Sequence, residues 1–166
     1  MAELREVVAA LGHTGVATYI QSGNVLFTSP DTDRAVLADA FEREIAGSLA
    51  VRPAVVVLSG ADLARVVADN PFPDVPDPRC LHAVFRRQDF APDAIAAIAE
   101  AQRRAREKGS RDEVVVVGRA LFLRTPDGLG RSELAAQLAR SGVQADGTAR
   151  NWATVTRLAA MLDSGA

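Results

Sequence analysis

One cysteine, Cys80, stands in a chain of 166 residues, so neither an intramolecular disulfide nor a cysteine-based zinc site can form. Aromatic side chains make up 5% of the residues, with a single tryptophan and a single tyrosine, which is little material for the stacking platforms of single-stranded nucleic-acid binders. Lysine is nearly missing: Lys108 is the only one, and every other basic residue is arginine, as a GC-rich coding bias or a need for phosphate recognition would both produce. Charge of one sign is also missing. Nineteen basic against 21 acidic side chains leave a net charge of −2, so no global field recruits nucleic acid or anionic lipid. The longest apolar runs, around Val55–Leu58 and Val114–Val117, are far too short to cross a bilayer, and no charged-then-apolar leader opens the chain, which predicts a cytoplasmic protein.

Hydrophobic residues nonetheless form 48% of the chain, enough for one ordinary domain or two small fused ones. The charge is unevenly spread: residues 1–80 carry −5 and residues 81–166 carry +3, so an anion-binding face belongs in the second half.

Periodicity divides the chain. Leu4, Val7, Val8 and Leu11 recur at helical spacing before Gly12. Val16 to Phe27 alternates as a hairpin does, with Ser22 and Gly23 as the two central turn residues. A second helix is predicted from Val36 to Leu49, a strand from Arg52 to Leu58 and a short helix from Ala61 to Asp69. Four prolines between Asn70 and Pro78 allow neither helix nor ladder, which makes residues 71–79 a linker. Beyond it come a strand over Cys80–Arg87 and a helix over Pro92–Lys108 with Ile95 and Ile98 inward. Val114–Val117 and Ala120–Leu123 then flank a Gly118-Arg119 turn, followed by a helix over Ser132–Arg140, an extended stretch near Val143–Thr148 and a last helix over Asn151–Leu162.

The two halves share one order: helix, hairpin, helix, strand, helix. The second half has a strand in front that the first lacks. The pattern predicts an α+β protein of two tandem ferredoxin-like βαββαβ modules, residues 1–70 and 80–166, the first without its leading strand.

Met1–Arg5, Thr18–Phe27, Asn70–Pro73, Leu81-His82, Asp127–Ser132 and Thr148–Val155 together resemble the bacterial family called domain of unknown function 1697. The resemblance runs over nearly the whole length and implies duplicated ferredoxin-like modules. Members of that family usually open with a strand and a glycine-containing loop that this chain does not carry, so the expectation is a natural start upstream of Met1. The resemblance supplies no activity.

Candidate sites follow from the polar motifs. Gln21, Ser22 and Asn24 fit a solvated hairpin tip, or the rim of a pocket that reads a ligand's hydrogen-bonding edge. In Asp127–Ser132 the glycines can make a turn and Ser132 a helix cap, or backbone N–H groups and Arg131 can hold a phosphate; the spacing and the absence of lysine exclude a Walker loop. Asn151 is a helix N-cap before the apolar anchor Trp152, and Arg150 beside it could join Arg131 around an anion. His13 and His82 stand alone, without carboxylates at ligand spacing, so no metal site and no cofactor are expected. Cys80 reads as a small buried hydrophobe, and the basic run from Arg103 to Arg111, interrupted by Glu107, as a solvated helix face.

The sequence thus favours a non-catalytic module binding an anionic or nucleotide-like small molecule. An enzyme acting on a phosphorylated small molecule and a single-stranded nucleic-acid binder are the alternatives; no paired carboxylates or triad supports the first, and the charge and few aromatics argue against the second. A homodimer through an exposed sheet edge is a further expectation.

Overall fold

The structure, a computed structural model, describes residues 2–20, 23–49, 51–143 and 146–164. These residues form a mixed α+β chain with six α-helices and two antiparallel sheets. Residues 1–63 with 157–166 make one unit and residues 64–156 a second.

In the first unit, α1 (Ala2–Ala10) buries Val7 and Val8 and stops at Gly12, whose φ of +80° reverses the chain at no side-chain cost. The chain then forms β1 (Thr14–Tyr19) and β2 (Asn24–Thr28), paired antiparallel with Ala17 opposite Leu26 and Tyr19 opposite Asn24. Of the expected Ser22-Gly23 turn, Ser22 lies outside the described residues. Gly23 does take a positive φ of +74°, but so does Ile20 at +49°, a conformation that a β-branched residue adopts only under strain.

Helix α2 (Arg34–Ser48) starts at Asp33, whose carboxylate accepts the Ala35 and Val36 N–H groups. Its buried positions Leu37, Phe41 and Ile45 recur every four residues. Phe41 and Ile45 meet Val7 and Val8 in the core, with Val16, Val25, Phe27, Val55 and Val57 packed around them. Helix α3 (Gly60–Ala68) is entered through a reciprocal cap: Asp62 N–H donates to the Ser59 hydroxyl, and Ser59 N–H donates to the Asp62 carboxylate. Arg34 also bonds Asp62. Burial alone would raise the Asp62 pKa; the hydrogen bonds from Arg34 and Ser59 outweigh it and hold the carboxyl well below the usual range.

Residues 51–59 are a correction to the sequence reading, because the strand expected over Arg52–Leu58 does not form. The β-branched residues are present, yet a strand exists only where another backbone completes its ladder. Val55 N–H donates instead to the Glu42 carboxylate, and Pro53 has no N–H to offer.

In the second unit the order of elements is β3 (Leu81–Arg86), α4 (Pro92–Glu107), β4 (Glu113–Val117), β5 (Ala120–Arg124), α5 (Glu133–Ser141) and β6 (Gly147–Asn151); α6 (Trp152–Asp163) follows, its residues from 157 on counting with the first unit. The sheet order is β4-β5-β3-β6, antiparallel throughout. The turn between β4 and β5 is the two-residue Gly118-Arg119, with Gly118 at φ +55°. Val84, Leu121 and Leu123 on one sheet face pack with Ile98, Ala101 and Ala105 of α4 and Leu134 and Leu138 of α5. The inward stripe of α4 excludes Ile95, which is 41% exposed rather than inward, since Ile98, Ala101 and Ala105 centre the buried face nearly a quarter-turn away from it. The last strand begins at Gly147, later than the stretch near Val143–Thr148 suggested by composition; Val143 is buried in the core outside any strand.

Candidate functional site

Of the hairpin residues, Gln21 and Ser22 lie outside the described residues. Asn24 is buried, and its side-chain amide donates to the Tyr19 carbonyl across the ladder at 3.3 Å, tying the hairpin at its tip. At the base of the same hairpin, His13 sits with its ring 4.8 Å from Phe27 and 5.4 Å from Phe41, and both imidazole nitrogens are buried without a hydrogen-bond partner.

The Asp127–Ser132 segment follows β5. Gly128 takes φ +90°, a 3-10 turn covers Leu129–Arg131, and Ser132 caps α5 by accepting the Ala135 N–H at 2.8 Å. The Ser132 hydroxyl donates in turn to Asp112 Oδ2 at 2.9 Å, and Ser110 donates to the same oxygen at 2.6 Å. Asp112 is only 4% exposed, so these two hydroxyls replace the water its carboxylate has lost. Asp127 is bonded to Arg111, which with smaller help from Arg131 lowers its pKa. Glu133, at the first turn of α5, accepts from Lys108, Gln137 and Arg140. The N-terminus of α5 is therefore already furnished with carboxylates, which favour that end of the helix dipole as a bound anion would.

Arg150 lies in β6 opposite Ala83, partly buried, donating to the Thr148 hydroxyl and, at 2.7 Å, to the Ala149 carbonyl; burial pushes its pKa down. Asn151 caps α6 by accepting the Thr154 N–H at 2.9 Å. Its ladder partner is His82, and side chains directly opposite one another share a sheet face, so Arg150 points to the other face with its own partner Ala83. His82 Nδ1 is buried without a partner, and desolvation lowers the imidazole pKa. Sequence reading left His82 isolated because Asn151 is distant along the chain and comes opposite it only through the β3–β6 register.

Strand direction sends the segments that carry two of the predicted groups off the same end of the sheet. Both β5 and β6 run antiparallel to β3, one on each side, so both point the same way. The turn bearing Arg131 and the β6–α6 junction bearing Arg150 leave the sheet at the same end, two strand positions apart, roughly 10 Å between strand axes.

The remaining polar groups are mostly engaged. Arg103 and Arg104 hold Glu100 at about 2, Arg103 contributing most, and Arg103 also bonds Glu107 along the exposed side of α4. Arg86 stacks its guanidinium 4.9 Å from the Phe90 ring centre. Cys80 closes the 3-10 turn Pro78–Cys80 and is half-buried, so it is less enclosed than expected. Sequence reading missed a shallow groove of about 810 Å³ between α4 and β4, lined by Ile95, Ile98, Arg103, Arg106, Val114 and Val116. Among the described residues, no group of three or more His, Cys, Asp or Glu is placed to hold a metal ion, and no helix is long and apolar enough to cross a membrane.

No curated protein matches the chain. Among solved structures, a conserved bacterial protein from Streptococcus pneumoniae is similar at a TM-score of 0.76 and 23% identity, covering 98% of this chain and 88% of its own, a likeness of fold alone. The model of a family described as a protein of unknown function, DUF1697, matches residues 1–122, and with nearly three quarters of its length inside that match the chain belongs to the DUF1697 family.

Proposed function

We propose that the protein is a cytoplasmic, non-catalytic binding module for a small anionic or nucleotide-like molecule, built on two ferredoxin-like modules. The observation that carries the reading is the common direction of β5 and β6, which delivers Arg131 and Arg150 to one end of the sheet in the more basic half of the chain. Arg150 is the anchor. Its guanidinium is partly buried and held in place by its bonds to Thr148 and the Ala149 carbonyl, and the planar fork suits a carboxylate or phosphate that approaches it. Arg131 offers a second cation from the turn after β5. Ser132 and Asn151 shape the site by fixing the starts of α5 and α6 rather than by touching the ligand. Gln21, Ser22 and Asn24 belong to a different unit from these arginines and would give specificity only as a separate surface.

The module reading is supported by the second unit's strand order, in which the first strand lies between the third and the fourth, as in the split βαββαβ arrangement. The test is thermal denaturation against a panel of nucleotides, sugar phosphates and di- and tricarboxylates. A true ligand at one hundred times its Kd stabilises the fold by about 2.7 kcal/mol, and Arg150→Gln should abolish that shift. A panel with no stabilising member, or a shift that survives both Arg150→Gln and Arg131→Gln, sinks the proposal.

A further inference from the structure

At β4 the edge of the second sheet is half closed by a side chain from α4. The two-residue Gly118-Arg119 turn pairs Val117 with Ala120, so Glu113, Val115 and Val117 turn their backbone groups to β5, and Val114 and Val116 turn theirs outward. Gln102 meets the first of these: its amide oxygen accepts the Val114 N–H at 3.0 Å and its amide nitrogen donates to the Asp112 carbonyl at 3.0 Å, as a neighbouring backbone would. Past Gln102 the edge is open. Among the described residues, β4 pairs with β5 alone, and the Val114 carbonyl and the N–H and carbonyl of Val116 meet no partner. The strand reads Glu-Val-Val-Val-Val, without the proline or lysine that blunts an edge against strand addition.

Ile95, Ala99, Gln102 and Arg106 recur at helical spacing, so one stripe of α4 overlooks this edge and walls the groove between them. α4 runs against β4: Gln102, towards the end of the helix, meets the start of the strand, and Ile95 and Ile98, nearer the beginning of the helix, lie towards Val116. The groove is therefore apolar beside the open edge and cationic where Gln102 closes it. Arg103 and Arg104 are tied there to Glu100, and Lys108 to Glu133, whereas the Arg106 guanidinium has no carboxylate partner among the described residues.

We propose that β4 and α4 receive the C-terminal tail of a partner protein, laid antiparallel to β4. Three main-chain bonds hold it: the third-last residue exchanges N–H and carbonyl with Val116, and the last residue donates its N–H to the Val114 carbonyl. Both residues share the sheet face of Val114 and Val116, so both are apolar and fill the groove beside Ile95 and Ile98. A continuing chain would next need the Val114 N–H, which Gln102 holds; a chain that ends there turns its carboxylate to Arg106. The antiparallel direction brings that end to the arginine, so a free terminus is selected over an internal segment.

The probes are fluorescein-labelled hexapeptides with a free carboxyl end, bearing valine, isoleucine, leucine or phenylalanine at the last and third-last positions and threonine between them; each is matched by its C-terminal amide. Binding to the intact protein is followed by fluorescence anisotropy, the Val116 amide by hydrogen exchange in NMR, and molar mass by light scattering. At least one free-acid peptide should saturate below about 1 mM. Its amide should bind at least about tenfold more weakly, and Arg106→Gln, a change at an exposed position, should weaken the acid by a similar factor. Exchange of the Val116 N–H should slow at least about tenfold on binding. The proposal is overturned if no peptide saturates, if acids and amides bind alike, if Arg106→Gln leaves the affinity unchanged, or if the Val116 amide is unaffected. A free protein that is already a dimer with Val116 protected overturns it too, and gives the edge to a second copy of the chain. Arg131 and Arg150 enter none of these readouts, so the anion reading stands or falls separately.

Discussion

Replacing Ser132 with alanine separates a structural role from a ligand-binding one. In the native protein this hydroxyl accepts the Ala135 N–H at the start of α5 and donates to Asp112, a carboxylate that is 4% exposed. Loss of an N-cap costs about 1 kcal/mol. Leaving a buried carboxylate one donor short costs about 1–2 kcal/mol more, the Ser110 hydroxyl still serving the same oxygen. Ser132→Ala should therefore destabilise by about 2–3 kcal/mol and lower Tm by roughly 5–10 °C in a chain of this size. The assay is urea denaturation followed by the fluorescence of Trp152, the single tryptophan, which lies in the same unit. The midpoint should move at an unchanged m-value. A double-mutant cycle with Asp112→Ala should show a coupling of about 1–2 kcal/mol, because each single change removes the same hydrogen bond. Ser132→Asp separates the two contributions: it keeps a capping oxygen but sets a second carboxylate beside Asp112, so it should remain destabilised, and more so as pH rises above the carboxylate range. A loss under about 0.5 kcal/mol for Ser132→Ala, additive with Asp112→Ala, would refute the reasoning.

Two further outcomes test the buried histidines. His13→Phe removes two buried nitrogens without partners while keeping a ring against Phe27 and Phe41, and should stabilise by about 1 kcal/mol in urea; destabilisation of that size would mean that the imidazole is satisfied in solution. His82 has its pKa lowered by burial, so below the unfolded value of about 6.5 the unfolded chain binds the proton more readily than the folded one. Stability contributed by keeping His82 neutral is thus full above pH 6.5 and is lost as pH falls, by at most about 1.4 kcal/mol per pH unit. His82→Gln should flatten this slope between pH 7 and 5, and an unchanged slope would assign it to other groups.

Helices were legible in the sequence because their signals are local. The four-residue recurrence of Leu37, Phe41 and Ile45 and the caps at Ser132 and Asn151 each lie within one or two turns. Residues 52–58 have every local sign of a strand and are none, since strand formation is a property of pairs of segments. The converse holds for β6, whose sequence Gly-Thr-Ala-Arg-Asn shows no apolar alternation and which is a strand because β3 lies beside it. The candidate site was legible in part. Arg131 and Arg150 stand out by chemistry, but their delivery to one end of the sheet depends on strand order, and the Ser132–Asp112 bond joins residues 20 apart that no motif connects. His82 reads as isolated in the sequence for the same reason, since Asn151 comes opposite it only through the ladder.

The place of β6 also has a kinetic side. The β4–β5 hairpin closes over pairs between 3 and 11 residues apart, Val117 with Ala120 and Glu113 with Arg124, so it can zip as soon as its two-residue turn is made. β6 meets β3 over separations of 61 residues, Arg86 with Gly147, to 69, His82 with Asn151. Closing that loop costs entropy before any ladder bond repays it, and among the described residues β6 pairs with β3 alone. It is therefore expected to dock last during folding and to detach first in partial opening, which amide exchange of residues 147–151 faster than that of β5 would register. Because Arg150 rides on this strand, the population of chains able to bind through it is set by the opening equilibrium of β6 as much as by the chemistry of the guanidinium.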